Sequence, residues 1–284
     1  MDAAGLDAAA LRGAAAGALA LALGGAPLGV LLVGRRMSLV GDALSHAILP
    51  GAAIAYLAAG PDPWWLTVGA LVSALAVAGL ATLFARARRL AEDGAFAVFY
   101  LCALALGVLV MGREAEAETV HALLFGTPGA LDTQGLVLAA GAATATLFSL
   151  AVFIRGFLAD GADPLFMRSL RLPGAALHLL LMALVAINLV AGFRAFGALM
   201  TVGLMMVPAA AARFWSRSYA GQAGAAVLMS AMASAAGLMI AAAFDAEPGP
   251  LMVIAATILF GLSAAFGRAG GLMQNLPGRG HLEG

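Results

Sequence analysis

Nine long apolar stretches joined by short polar connections constrain this chain more than any other feature of its sequence. They fall at about Leu11 to Val33, Met37 to Ala59, Trp64 to Ala85, Gly94 to Met111, Gly135 to Ile154, Gly174 to Ala191, Ala195 to Ala212, Tyr219 to Phe244 and Pro250 to Phe266. A helix rises about 1.5 Å per residue and a bilayer's hydrocarbon core is about 30 Å thick, so most of these stretches can cross it. None alternates in a sustained way, which favours helices over a β-barrel. A content of 63% apolar and 11% charged residues, with a mean hydropathy of +1.00, lies far outside the soluble range. The expected fold is all-α, a polytopic integral membrane helical bundle of eight or nine transmembrane helices. The count is open because the gap Gly192-Phe193-Arg194 is short, and the stretches on either side of it span only if nearly upright. Residues 1–10 are expected to form an N-terminal tail and 269–284 a polar C-terminal tail around a transmembrane domain over 11–268.

Charge gives the orientation. All fifteen basic residues are arginine and they balance fifteen acids, so no net charge points to nucleic acid. With nine spans, Arg35, Arg36, Arg86, Arg88, Arg89, Arg155, Arg168, Arg171, Arg213, Arg217, Arg268 and Arg279 collect on one side, and only Arg12, Arg113 and Arg194 on the other. The positive-inside rule makes the first side cytoplasmic. The N-terminus, lacking a basic start, reads as a retained span rather than a secretory signal. Trp64 and Trp65 then stand where an outer aromatic anchor is expected. Cys102, alone in an apolar run, reads as a small buried hydrophobe, and Met200, Met205 and Met206 as packing. His178 and Asn188 are expected to be satisfied by interhelical hydrogen bonds.

Against this apolar background the second stretch carries an acid and an imidazole. An aspartate near the middle of a spanning helix costs about 2.5 to 3.5 kcal/mol on insertion scales. Asp42 and His46 are four residues apart, so they share a helical face and can reach one object. A carboxylate with an imidazole is ligand chemistry for zinc, manganese or ferrous iron. The bland alternative is a pair that hydrogen-bonds to itself or to nearby backbone. Gly41, Ser45 and Gly51 keep the helix flank small, and Pro50 removes a backbone donor, features that suit a helix lining something. Pro50 and Pro208 lie in similar apolar, small-residue contexts in spans of opposite sense, the pattern of broken helices in inverted halves.

The run Gly41-Asp42-Ala43-Leu44-Ser45-His46-Ala47-Ile48-Leu49-Pro50-Gly51 resembles the signature of the permease subunits of ABC-type importers for zinc, manganese and iron. Weaker echoes follow in the family's order: Glu92-Asp93, Leu124-Phe125-Gly126, Val202-Gly203 through Val207-Pro208-Ala209-Ala210, and Phe244-Asp245 before Pro248-Gly249-Pro250. The resemblance implies a multi-pass permease of the bacterial cytoplasmic (inner) membrane that imports a divalent transition metal at the expense of ATP. Asp42 and His46 would be its metal ligands. It also implies three partners: a separate ATP-binding subunit, a periplasmic or lipid-anchored metal-binding protein, and a second permease copy forming a homodimer in the membrane lipid. No permanently bound cofactor is expected, since zinc, manganese or iron would be cargo. The alternative is a secondary transporter in which Asp42 and His46 relay protons; a third reading is a membrane scaffold that transports nothing.

Two further segments acquire meaning from that resemblance. Asp163 as N-cap and Pro164 at the first helical position start a short helix whose apolar residues, Phe166 among them, precede Arg168. By itself this is a loop helix lying on the membrane; the resemblance makes Asp163, Pro164, Phe166 and Arg168 a coupling helix that docks on the ATPase. The family has a glycine near Leu170, and this chain has none there. Glu114, Glu116, Glu118 and His121 form an anionic run that is either a solvated loop or an outer mouth that concentrates cations. No lysine occurs anywhere, so no P-loop can form, and there is no nucleophile elbow or His-Glu-x-x-His run. The chain is expected not to be an enzyme.

Overall fold

The computed structural model describes residues 8–88, 92–111, 133–244 and 246–272. Among the described residues there are ten helices and no strands. They are α1 (Ala8–Gly34), α2 (Val40–Ala59), α3 (Pro63–Arg88), α4 (Glu92–Met111), α5 (Thr133–Ala162), α6 (Pro164–Ser169), α7 (Gly174–Phe196), α8 (Ala198–Ala212), α9 (Tyr219–Phe244) and α10 (Pro248–Phe266). Eight are long and apolar enough to cross a membrane; α6 has six residues and α8 has 15 residues.

The helix α8 decides how the count resolves. At about 1.5 Å per residue its 15 residues reach about 22 Å, short of the hydrocarbon thickness. Its first turn nevertheless lies beside the head of α10, where a Cβ at Gly249 would sit 3.6 Å from both Met200 and the Phe196 carbonyl. At its other end Arg213 reaches 3.5 Å to the Val33 carbonyl at the foot of α1. A short ninth helix therefore runs between the same two ends as its longer neighbours. The break before it falls at Gly197 rather than at Gly192-Phe193-Arg194, because α7 continues through Phe196. Gly197 has φ +83, a conformation in which a side chain would clash, and its carbonyl accepts from the Thr201 hydroxyl at 2.7 Å.

α1, α2 and α7 are the most enclosed spans. The largest apolar cluster joins Leu28 and Leu32 of α1, Leu44 and Ile48 of α2, Ala74 and Ala78 of α3, Phe157 of α5, and Leu181, Val185 and Leu189 of α7. A second joins the first half of α1 to α8, α9 and α10 through Ala18, Leu21, Met200, Leu204, Leu238 and Met252. α1 thus stands between two groups of helices. Small residues set how closely they approach, as packing in lipid requires. A Cβ on Gly51 would fall on the Gly69 carbonyl, and one on Gly69 would fall on the Gly51 carbonyl, so α2 and α3 touch backbone to backbone.

Several expectations change. α2 starts at Val40, not Met37, which puts Asp42 in its first turn instead of near its middle. α5 runs eight residues past Ile154, from Arg155 through Ala162, so the helix continues well beyond the apolar stretch. Cys102 is exposed, not buried: α4 turns most of its surface outward, and an apolar run does not distinguish a core-facing side from a lipid-facing one. Met200 and Met205 are buried in apolar clusters, as packing residues are. Asn188 donates to the Thr146 hydroxyl of α5 at 2.6 Å and to the Leu184 carbonyl at 2.8 Å. Trp64 and Trp65 are exposed at the head of α3, which Asp62 caps by accepting the Trp64 amide at 2.8 Å.

Candidate metal site

The candidate site is built on the first two turns of α2. Asp42 lies two residues from the helix start, where free backbone amides and the positive end of the helix dipole favour a carboxylate. The electrostatic penalty inferred for a mid-helix acid is eased by this placement. His46 follows one turn on. Its Nε2 stands 3.8 Å from Asp42 Oδ1, near enough for electrostatic attraction and too far for a hydrogen bond. The two groups stand side by side without closing on each other, which disfavours a self-satisfied pair. The side chain of Asp42 is 61% exposed and that of His46 34% exposed. Neither is sealed in the core.

Neighbouring helices hold the pair in place. The His46 ring stacks on Tyr100 of α4, with centroids 6.0 Å apart and planes 26° apart. Stacking fixes the plane of the imidazole and leaves its nitrogens free to bind at the edge. Ser45, buried beneath, donates to the Asp42 carbonyl at 2.7 Å, and Ser73 of α3 donates to the Ala47 carbonyl at 2.7 Å. On the opposite flank Gly41 lets α8 come close: a Cβ there would stand 2.9 Å from Met205 Cε. Pro50 is the eleventh residue of α2 and Pro208 the eleventh of α8, counting from Val40 and Ala198. One wall of the site is therefore the enclosed side of α2, and the other is open.

Two donors do not fill a divalent ion's shell, since zinc takes about four ligands and manganese about six. Among the described residues no group of three or more His, Cys, Asp and Glu converges. Glu114, Glu116, Glu118 and His121 lie outside the described residues, as do Leu124-Phe125-Gly126 and Asp245. Far along the chain from the pair, Asp163 caps α6 through Oδ1, which accepts the amides of Leu165 at 3.0 Å and Phe166 at 2.9 Å, with Pro164 at the first helical position. Leu165 and Phe166 are exposed there, and the side chain of Arg168 falls outside the described residues. α6 closes with the Leu172 amide donating to the Met167 carbonyl at 3.0 Å and Arg171 at φ +53. Arg171 thus takes the left-handed position that a glycine fills elsewhere.

Sequence reading missed Tyr100 and Asp160. Tyr100 carries no local signal, because its role comes from the packing of α4 on α2. Asp160 did carry one, an acid in the otherwise apolar final turns before the Asp163-Pro164 cap.

Fold and site together define a multi-pass helical membrane protein with a polar pair on the open face of one inner helix. Residues 7–267 match the ABC 3 transport family, and the chain belongs to it. It is a protein of the bacterial cytoplasmic membrane concerned with transport rather than catalysis. It is 27% identical over 247 residues to the manganese transport system membrane protein MntC of Halalkalibacterium halodurans, covering 87% of this chain and 83% of that one. To the chelated iron transport system membrane protein YfeD of Yersinia pestis it is 28% identical over 233 residues, 82% of this chain and 77% of the relative. Among solved structures it resembles PsaBC from Streptococcus pneumoniae in complex with Fab, with a TM-score of 0.79, 27% identity, and coverage of 91% of this chain and 92% of that chain. The family expected from Gly41 to Gly51 is the one to which the chain belongs.

Proposed function

We propose that this chain is the permease subunit of an ATP-driven importer for a divalent transition metal, with manganese or ferrous iron favoured, and that Asp42 and His46 ligate the ion in transit. The observation that carries this reading is the pair itself: an acid and an imidazole held one turn apart, open to the surface and too far apart to hydrogen-bond to each other, on a helix that is otherwise apolar. One carboxylate and one neutral imidazole make a mixed oxygen and nitrogen set, suited to manganese and iron and open to zinc. The relatives' names, manganese transport and chelated iron transport, point the same way.

The set is incomplete in one chain, and the open side of α2 is where a second copy would complete it. Two copies around a shared path supply two carboxylates and two imidazoles. Such a cage holds the ion weakly enough to release it, which a transporter requires. ATP hydrolysis belongs to a separate subunit docked on α6, and a metal-binding protein delivers the ion from outside, where the acids from Glu114 to His121 would concentrate it.

The test is metal uptake by the reconstituted complex. Asp42→Ala and His46→Ala are expected to reduce manganese uptake by at least about a hundredfold while the chain still inserts and assembles. Wild-type uptake in both would remove the pair from the mechanism. Uptake by the purified chain alone, driven by a pH gradient, would instead support the proton-coupled alternative.

A further inference from the structure

A second polar cluster lies outside the metal pair. Arg35, one residue beyond the end of α1, places Nη1 3.0 Å from Asp160 Oδ2 and 3.3 Å from His178 Nδ1, and donates from Nη2 to the Phe157 carbonyl at 2.6 Å. All three side chains are buried: Arg35 and Asp160 are 8% and 3% exposed, and His178 only 1% as a residue. Three elements meet in this contact. They are the turn between α1 and α2, the last turns of α5, and the second turn of α7.

These elements are the ones that connect α6 to the metal pair. Asp160 precedes the Asp163 cap of α6, and His178 lies just past the point where the chain leaves α6 and begins α7 at Gly174. Both legs of the α6 hairpin are therefore pinned to one guanidinium. From that guanidinium the chain passes through Arg36 into α2 and Asp42. The packing allows little slack: a Cβ on Gly161 would stand 3.0 Å from Arg35 Nε, and one on Gly174 would stand 2.7 Å from Asp160 Oδ1. Among the described residues, the two non-glycine positions with positive φ are Arg36, at +61, and Arg171, at +53. One adjoins Arg35; the other lies in the link between α6 and α7. Strain of this kind persists only where the surroundings hold it.

We infer that Arg35, through Asp160 and His178, is the positioning residue by which displacement of α6 reaches the turn in front of Asp42. This rests on the reading that α6 docks the ATPase and that Asp42 holds the ion. A guanidinium suits the task because its planar fork engages a carboxylate, an imidazole and a carbonyl at once, so the three elements move as one body. Contiguity alone does not establish coupling, so the test must read coupling itself.

The experiment uses the complete complex in proteoliposomes, with manganese(II) as the probe, and measures ions transported per ATP hydrolysed. The variants are Asp160→Asn, which keeps the shape and removes the charge, and Arg35→Lys, which keeps the charge and loses the fork. Both are expected to retain ATPase assembly and manganese affinity within about twofold while the ion-to-ATP ratio falls by about tenfold. A wild-type ratio in both variants would overturn the inference. Loss of ATPase assembly in step with transport would overturn it too, since the cluster would then be only a scaffold. Asp42→Ala run in parallel separates the two levels: if it still transports, Asp42 is not a ligand and the parent reading fails, whereas a dead Asp42→Ala beside fully coupled Arg35 and Asp160 variants removes only the coupling role of Arg35.

Discussion

Asp42 and His46 were legible as a pair because helical spacing is a local property, and two residues four apart share a face wherever the helix sits. Their setting was not. Whether a carboxylate in an apolar run is sealed, paired or open depends on helices distant in sequence, here α4 with Tyr100 and α8 with Met205. Arg171 is a further case. The sequence gives no sign that this arginine is strained, and the structure shows the cost, a left-handed residue closing α6. Such a conformation costs an L-residue about 1 to 2 kcal/mol, which glycine avoids at the expense of a more flexible unfolded chain. Arg171→Gly is accordingly expected to stabilise the protein by about 0.5 to 1 kcal/mol, seen as a higher midpoint of thermal unfolding in detergent. An unchanged or lower midpoint would mean that the arginine side chain repays the strain through contacts of its own.

At the scale of elements, α6 depends on its ends. Six residues are too few to hold a helix by propagation, so the Asp163 cap and the closing bond from Leu172 to Met167 carry it. Asp163→Ala should cost about 1 kcal/mol, confined to this segment. Hydrogen exchange should quicken at Leu165 and Phe166, whose amides the carboxylate accepts, and remain slow in α5 and α7. If docking on the ATPase orders this helix, the partner's affinity should fall by a similar free energy, about fivefold. Quickened exchange across α5 and α7 as well would mean that the cap supports the whole hairpin. The cap was legible because Asp-Pro is a local signal; the extent of α5 was not, since its last turns are held by Arg35, 125 residues away from Asp160.

The whole molecule raises the question of what covers the open side of α2. An aspartate that is 61% exposed cannot be left against lipid at low cost, so the face is either wet or shared. The homodimer reading makes it shared, with a test that needs no structure of the dimer. A tandem fusion of two permease copies in which one carries Asp42→Ala is expected to lose at least about nine-tenths of manganese uptake, because half a cage is a poor site. Retention of half the uptake would mean that each subunit encloses its own path, with the missing ligands supplied from within one chain.

Hydropathy and spacing determined by themselves that this chain lives in a membrane, that it is helical, and that one helix carries an acid and an imidazole one turn apart. These are properties of neighbours along the chain, and the bilayer imposes them on every span alike. Only the packed bundle decided that α2 begins at Val40 with Asp42 under its first amides, that the break before α8 falls at Gly197, and that Arg35 is tied to Asp160 and His178. The reason is physical: apolar residues are equally content against lipid or protein, so hydropathy does not say which faces meet. Small-residue contacts such as Gly51 on Gly69, and polar groups that must find partners out of water, select one arrangement among many.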